Sequence, residues 1–175
     1  MGGTVALWGA SSLIKSIQTG TANTNASVTG TATITAVDLA NSIILYGGDS
    51  QGNANPNLVV VFGHMALTNA TTVTATQSGN FNATFAFTVV EFLPGVLRSV
   101  QSGTVTQTST STATTILSVN TAKSMVMFLG QVAGSGAPNS DTLVMKYALT
   151  NATTVTSTQD AFGGFISRFQ VIEYF

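Results

Sequence analysis

The chain of 175 residues carries five Lys+Arg and six Asp+Glu, a formal net charge of −1 and 44% hydrophobic residues. Ordinary globular proteins are about 25% charged, and this chain is 6% charged. The apolar content excludes a charge-rich disordered segment and suffices for a core. So few Lys and Arg leave no electrostatic footprint for nucleic acid or an anionic membrane, and no apolar run reaches the roughly 18 residues of a spanning helix. The absence of cysteine excludes disulfides, thiolate metal sites and a Cys nucleophile.

Residues 1–13 form an N-terminal arm without the positively charged start of a secretory signal, so no export signal is read. The arm holds the single tryptophan, Trp8, with Val5 and Leu7 alternating among small residues. Large aromatics anchor interfaces, and these three residues are expected to dock on a neighbouring protein.

From residue 14 the chain repeats itself. Ala66-Leu-Thr-Asn-Ala-Thr-Thr-Val-Thr-Ala-Thr-Gln77 recurs as Ala148-Leu-Thr-Asn-Ala-Thr-Thr-Val-Thr-Ser-Thr-Gln159, a displacement of 82 residues. At the same displacement Ser42-Ile-Ile-Leu-Tyr46 matches Ser124-Met-Val-Met-Phe128, and Phe87-Thr-Val-Val-Glu-Phe92 matches Phe169-Gln-Val-Ile-Glu-Tyr174. Ile14-Lys-Ser-Ile-Gln-Thr-Gly20 matches Leu97-Arg-Ser-Val-Gln-Ser-Gly103 at 83. The copies span 14–92 and 97–175, joined by a linker, 93–96, whose Pro94 and Gly95 favour a turn. A position kept in both copies serves the shared unit, and one that differs does not.

Each copy reads as short strands. Thr31–Val37 alternates hydroxyl and apolar residues with period 2, as a half-buried strand does. Ser42–Tyr46 and Leu58–Phe62 are continuous apolar runs bounded by turn formers, and Thr71–Thr76 and Phe85–Phe92 complete the unit. The segments beginning at Gly47 and Gly130 are rich in turn formers and are expected to be surface loops. The expectation is an all-β protein of two tandem antiparallel β-sandwich domains from an internal duplication. The final strands carry apolar residues on both faces (Phe87 and Phe92; Phe169, Tyr174 and Phe175), whereas a two-sheet sandwich buries one face. The second face is therefore expected to be buried against a neighbour, either the other copy or another chain, and a homo-oligomer, a trimer, is expected.

Little in the sequence carries chemistry. His64 is the single histidine; Lys146 replaces it in the second copy, and it is read as a polar residue on the outer face of a strand. Glu91 and Glu173 recur inside apolar strands, as do Lys15 and Arg98 in the opening strands. They are read as structural ion pairs, Lys15 with Glu91 and Arg98 with Glu173, satisfying otherwise costly buried charges. Asp49 and Asp141 lie among Asn and Gly without an EF-hand order and are read as solvated loop tips. The sequons at Asn25, Asn69, Asn82 and Asn151 follow from the Thr-rich composition. No catalytic residue, metal site or cofactor site is assigned, and the chain is read as a non-enzyme.

The order Ser-Ile/Val-Gln-x-Gly, then Ala-Leu-Thr-Asn-Ala-Thr-Thr-Val-Thr-Ala/Ser-Thr, then Phe-x-Val-Val/Ile-Glu-Phe/Tyr resembles a repeat of structural proteins of tailed bacteriophages. It covers Ile14–Phe92 and Leu97–Phe175. Such repeats occur in head-decorating and tail-associated proteins, and the order of elements is also weakly similar to the trimeric H-type lectin sandwich, from which no residue is carried over. The resemblance implies a virion structural protein on the particle exterior, decorating and cementing the head, with the major capsid protein or other virion proteins as partners. The alternative is a tail, collar or baseplate-associated protein that binds host carbohydrate. Aromatic side chains beside Asp or Asn in the loops would mark that alternative; Asp49, Asn53, Asn55 and Asn139 stand there without a neighbouring aromatic in sequence.

Overall fold

A computed structural model describes residues 12–51, 63–132, 145–160 and 164–175. Val5, Leu7 and Trp8, the expected strand Leu58–Phe62, and Asn53, Asn55, Asn139 and Asp141 lie outside the described residues. The protein is all-β, with several antiparallel sheets.

The strands are β1 Ile14–Asn23, β2 Thr29–Thr33, β3 Ser42–Gln51, β4 Gly63–Asn69, β5 Thr72–Gln77, β6 Ala83–Phe92, β7 Leu97–Thr106, β8 Ser111–Thr115, β9 Ser124–Val132, β10 Lys146–Asn151, β11 Thr154–Thr158 and β12 Ile166–Tyr174. They form sheets in the orders β1-β6-β3, β10-β11-β8 and β2-β5-β4-β9-β12-β7. The pairing β1-β6-β3 has the same form as β7-β12-β9, register included: Ile17, Val90 and Ile43 stand in one row, and Val100, Ile172 and Met125 in the other. Likewise β2-β5-β4 has the form of β8-β11-β10. The six-stranded sheet arises because β4 of the first half pairs with β9 of the second at His64 and Gly130.

The repeated sequence blocks explain the local structure. In Leu-Thr-Asn-Ala-Thr-Thr-Val-Thr the asparagine side chain turns the chain: Asn69 Oδ1 accepts the Thr71 N–H at 2.9 Å, and Asn151 Oδ1 the Thr153 N–H at 2.8 Å. Such side-chain-to-backbone bonds imitate a backbone turn, and they connect β4 to β5 and β10 to β11. The glycine of Gln-x-Gly faces a phenylalanine across the strand pair, Gly20 opposite Phe87 and Gly103 opposite Phe169. The ring lies where a Cβ would be, 2.8 Å and 2.2 Å from the ring tip respectively, so any side chain there displaces a core aromatic.

The strand expected over Thr31–Val37 stops at Thr33. Beyond it the backbone is held by single bonds in place of a ladder: Gln18 clamps Thr35 through both amide atoms, at 3.0 and 2.7 Å, and the Val37 N–H donates to the Ala70 carbonyl. Gln101 clamps Leu117 in the same way. The linker is a tight turn, with the Val96 N–H donating to the Leu93 carbonyl and Gly95 at φ 88°. That is the position where a turn with Pro second and a left-handed third residue requires glycine.

Two core clusters lie in the halves, around Phe85, Phe87 and Met65 and around Phe165, Phe169 and Val171. Leu129 of β9 belongs to the first of them and so reaches across from the second half. A third cluster joins the outer faces of β3 and β6 to those of β7 and β12, with Ile43, Val90, Leu97 and Ile172 at its centre and Phe92 and Tyr174 packed on it. The second apolar face of the final strands is thus covered largely by the other half of the same chain, which removes the sequence argument for a trimer based on that face.

Candidate functional site

The two carboxylates singled out by the repeat occupy matching nodes. Glu91 in β6 stands between Ser16 and Ser42, and Glu173 in β12 between Ser99 and Ser124. Lys15 and Arg98 are the residues skipped where the register shifts at the start of β1 and β7. A bulge of this kind re-aims a side chain, and here it turns the basic residue toward the glutamate. Lys15 Nζ donates to Glu91 Oε1 at 2.8 Å, the Asp38 N–H donates to the same oxygen at 2.9 Å, and Ser16 Oγ donates to Oε2 at 3.1 Å. Burial works to raise the Glu91 pKa, but these three donors outweigh it and hold the carboxyl below its ordinary range.

Glu173 accepts the Asn120 N–H at 2.9 Å and the Ser99 hydroxyl at 3.3 Å, while Arg98 stands 3.8 Å away, an ion pair without a direct hydrogen bond. Asp38 and Asn120 each open a short 3-10 turn and accept the N–H two residues on. Each buried carboxylate therefore ties together the start of the first strand, the last strand and a turn, with both of its oxygens accepting hydrogen bonds. That is an arrangement for holding strand positions; a general acid or base needs a proton-transfer atom facing substrate.

The other polar concentration lies at the seam where β4 meets β9. Gly130, at φ 94°, brings β9 so close that a Cβ there would stand 2.1 Å from the Gly63 carbonyl oxygen. His64 is buried at this seam, contrary to the outward position expected from sequence, where β9 of the other half pairs along the edge of β4. Its Nδ1 has no hydrogen-bond partner. Burial, and then the nearby Arg168 charge, push its pKa down to about 4.

A cavity of about 290 Å³ opens beside the seam, lined by Tyr46, Gly48, Asp49, Gly63, Phe128, Gly130 and Gln131. Asp49 is half-buried in β3, not a solvated loop tip, because the strand runs on through a bulge at Gly47 and Gly48. The Tyr46 hydroxyl donates to its Oδ1, and Oδ2 is buried without a partner. Burial raises the Asp49 carboxyl pKa, opposed by the tyrosine hydrogen bond, and burial also raises that of the Tyr46 hydroxyl. Among the described residues no three His, Cys, Asp or Glu side chains gather as a metal site.

The repeat pointed to Glu91, Glu173, Lys15 and Arg98 but not to their hydroxyl and backbone donors. Ser16 and Ser99, retained beside the basic residues, were the available signal. The seam had no such signal, since His64, Gly130 and Asp49 meet only through the packing of one half on the other. No protein-family model, curated protein or solved structure matches the chain.

Proposed function

We propose that this chain is a non-enzymatic structural protein of a tailed-phage virion, built by internal duplication into two β-sandwich domains, 14–92 and 97–175, that decorates and cements the head exterior. The observation that carries the reading is how the few charges are used. The recurrent ones, Lys15 with Glu91 and Arg98 with Glu173, face one another within each half. Large apolar side chains such as Leu13, Ile17, Leu117 and Phe175 remain exposed. Exposed apolar area rimmed by hydroxyls suits short-range contact with other proteins, each Å² removed from water being worth roughly 25 cal/mol. The resemblance of the repeated blocks to virion structural proteins supports the same reading.

Counting copies per particle by quantitative mass spectrometry tests it. Hundreds of copies support head decoration; a few dozen or fewer overturn it in favour of the tail or collar. Tyr46 and Phe128 beside Asp49 favour that second reading, with a host sugar in the cavity, since aromatic faces beside a carboxylate are what sequence alone lacked. Saturation-transfer NMR against a panel of neutral glycans tests it, and transfer to no sugar ends it.

A further inference from the structure

Equivalent residues in the two halves differ in burial according to a rule. Ile43 in β3 is 6% exposed, and its counterpart Met125 in β9 is 43% exposed. On the opening strands the order reverses: Leu97 is 4% exposed and Val100 packs on the third cluster, whereas Ile14 is 38% and Ile17 58% exposed. One contact accounts for both differences, the β3 side of the first half seated on the β7–β12 face of the second. It is not reciprocal. The Ile44 N–H on the edge of β3 donates to Gln170 Oε1 of β12 at 3.1 Å, and the counterparts Val126 and Thr88 have no such bond. A contact between two different surfaces of equivalent bodies leaves one surface of each kind unused at the ends.

The seam leaves the same remainder. Gly48 has the conformation of Gly130, φ 99° against 94°, but a Cβ on Gly48 would meet nothing within 4 Å among the described residues, whereas Gly130 is filled by the backbone of β4. The residue facing Gly130 is His64, and the next residue along is Gln131, both uncharged at neutral pH. At the unused ends their counterparts are Lys146 and Asp49, which have opposite charges. Lys146 is exposed and holds the equally exposed Asp160 of its own chain at 3.0 Å, a solvent-facing pair that can be exchanged, and among the described residues Asp49 keeps a buried oxygen without a hydrogen-bond partner.

We propose that copies of this chain associate head to tail, the β9–β10 side of one seated on the β1–β6 face and Gly48 socket of the next, so that each junction between chains repeats the junction within a chain. Met125 of one copy then meets Ile14 and Ile17 of the next, and Lys146 of one copy faces Asp49 of the next. The inference rests on the equivalence of the halves and not on a place in a phage particle. A chain that fails the following test can still be a monomeric head protein, and one that passes can still be absent from heads, so the two readings fall separately.

The chain lacks cysteine, which allows a clean cross-linking test. Ile17→Cys and Met125→Cys, both at exposed positions, are made in separate full-length proteins and treated with a short thiol cross-linker alone and mixed. The expected result is a two-chain product in the mixture and in neither protein alone. A product from either protein alone means a two-fold contact and overturns the proposal, as does a mixture that stays at the single-chain mass of 17.9 kDa. Repeating the experiment without residues 1–11 should leave the yield unchanged; a product that appears only after that deletion makes the β1 face the arm's own and also overturns it. On native mass spectrometry Lys146→Glu should shift the parent assembly toward single chains, and adding Asp49→Lys should restore it.

Discussion

The two halves have the same strand pairing and the same buried glutamate node, yet they hold their charges differently. Lys15 makes a 2.8 Å hydrogen bond to Glu91, whereas Arg98 stands 3.8 Å from Glu173, which relies on the Asn120 N–H and the Ser99 hydroxyl. Gly48 and Gly130 differ more sharply, with one backbone conformation and opposite surroundings. A repeated sequence thus repeats its local bonds, while the environment of each copy is set by which of its faces meets the other.

The largest expected effect breaks this comparison at the glycines. Gly130→Ala combines left-handed strain with overlap on the Gly63 carbonyl and should cost more than about 3 kcal/mol, whereas Gly48→Ala should cost only the strain, about 1 kcal/mol. Urea denaturation of the two variants checks it; equal losses would mean that β4 does not lie against Gly130.

Next comes the node itself. Glu91→Ala leaves the Asp38 N–H, the Ser16 hydroxyl and the Lys15 charge without their acceptor and should cost about 3 kcal/mol. Lys15 is half-exposed, so Lys15→Ala should cost about 1 kcal/mol, and Arg98→Ala less than about 0.5 kcal/mol. An Arg98→Ala loss as large as that of Lys15→Ala would show that the 3.8 Å pair is closer in solution.

The smallest effect is in pH dependence. The folded His64 has a pKa of about 4 against an ordinary value of 6.5, so between those values the unfolded chain binds the proton and the folded chain does not. Stability should therefore fall as pH drops from about 6.5 toward 4. Glu91, held below the ordinary carboxylate range, adds its own loss at the acid end of that window and beyond. Thermal melts across this range should show a shallower decline for His64→Gln; an unchanged slope would place His64 in water.

Much of the fold was legible because local bonds follow local sequence. The Gly95 turn and the strands around Glu91 and Glu173 lie where the sequence reading put them. The strand expected over Thr31–Val37 lies at Thr29–Thr33 instead, because alternation does not reveal that Gln18, from another strand, takes over the bonds of Thr35. His64 and Asp49 depart from the sequence expectation for the same kind of reason, His64 being buried where the halves meet and Asp49 half-buried through a bulge in β3.

By itself, then, the sequence determined an all-β chain and the recurrence of its blocks, because periodicity is written in residue order. Only the tertiary structure decided that the second apolar face of the final strands is covered within the chain, that β4 extends the sheet of β9, and that Ile17 and Met125 stay uncovered. Those outcomes depend on how two similar bodies dock. Docking is governed by surfaces assembled from distant strands, and residues that are equivalent in sequence need not be equivalent there.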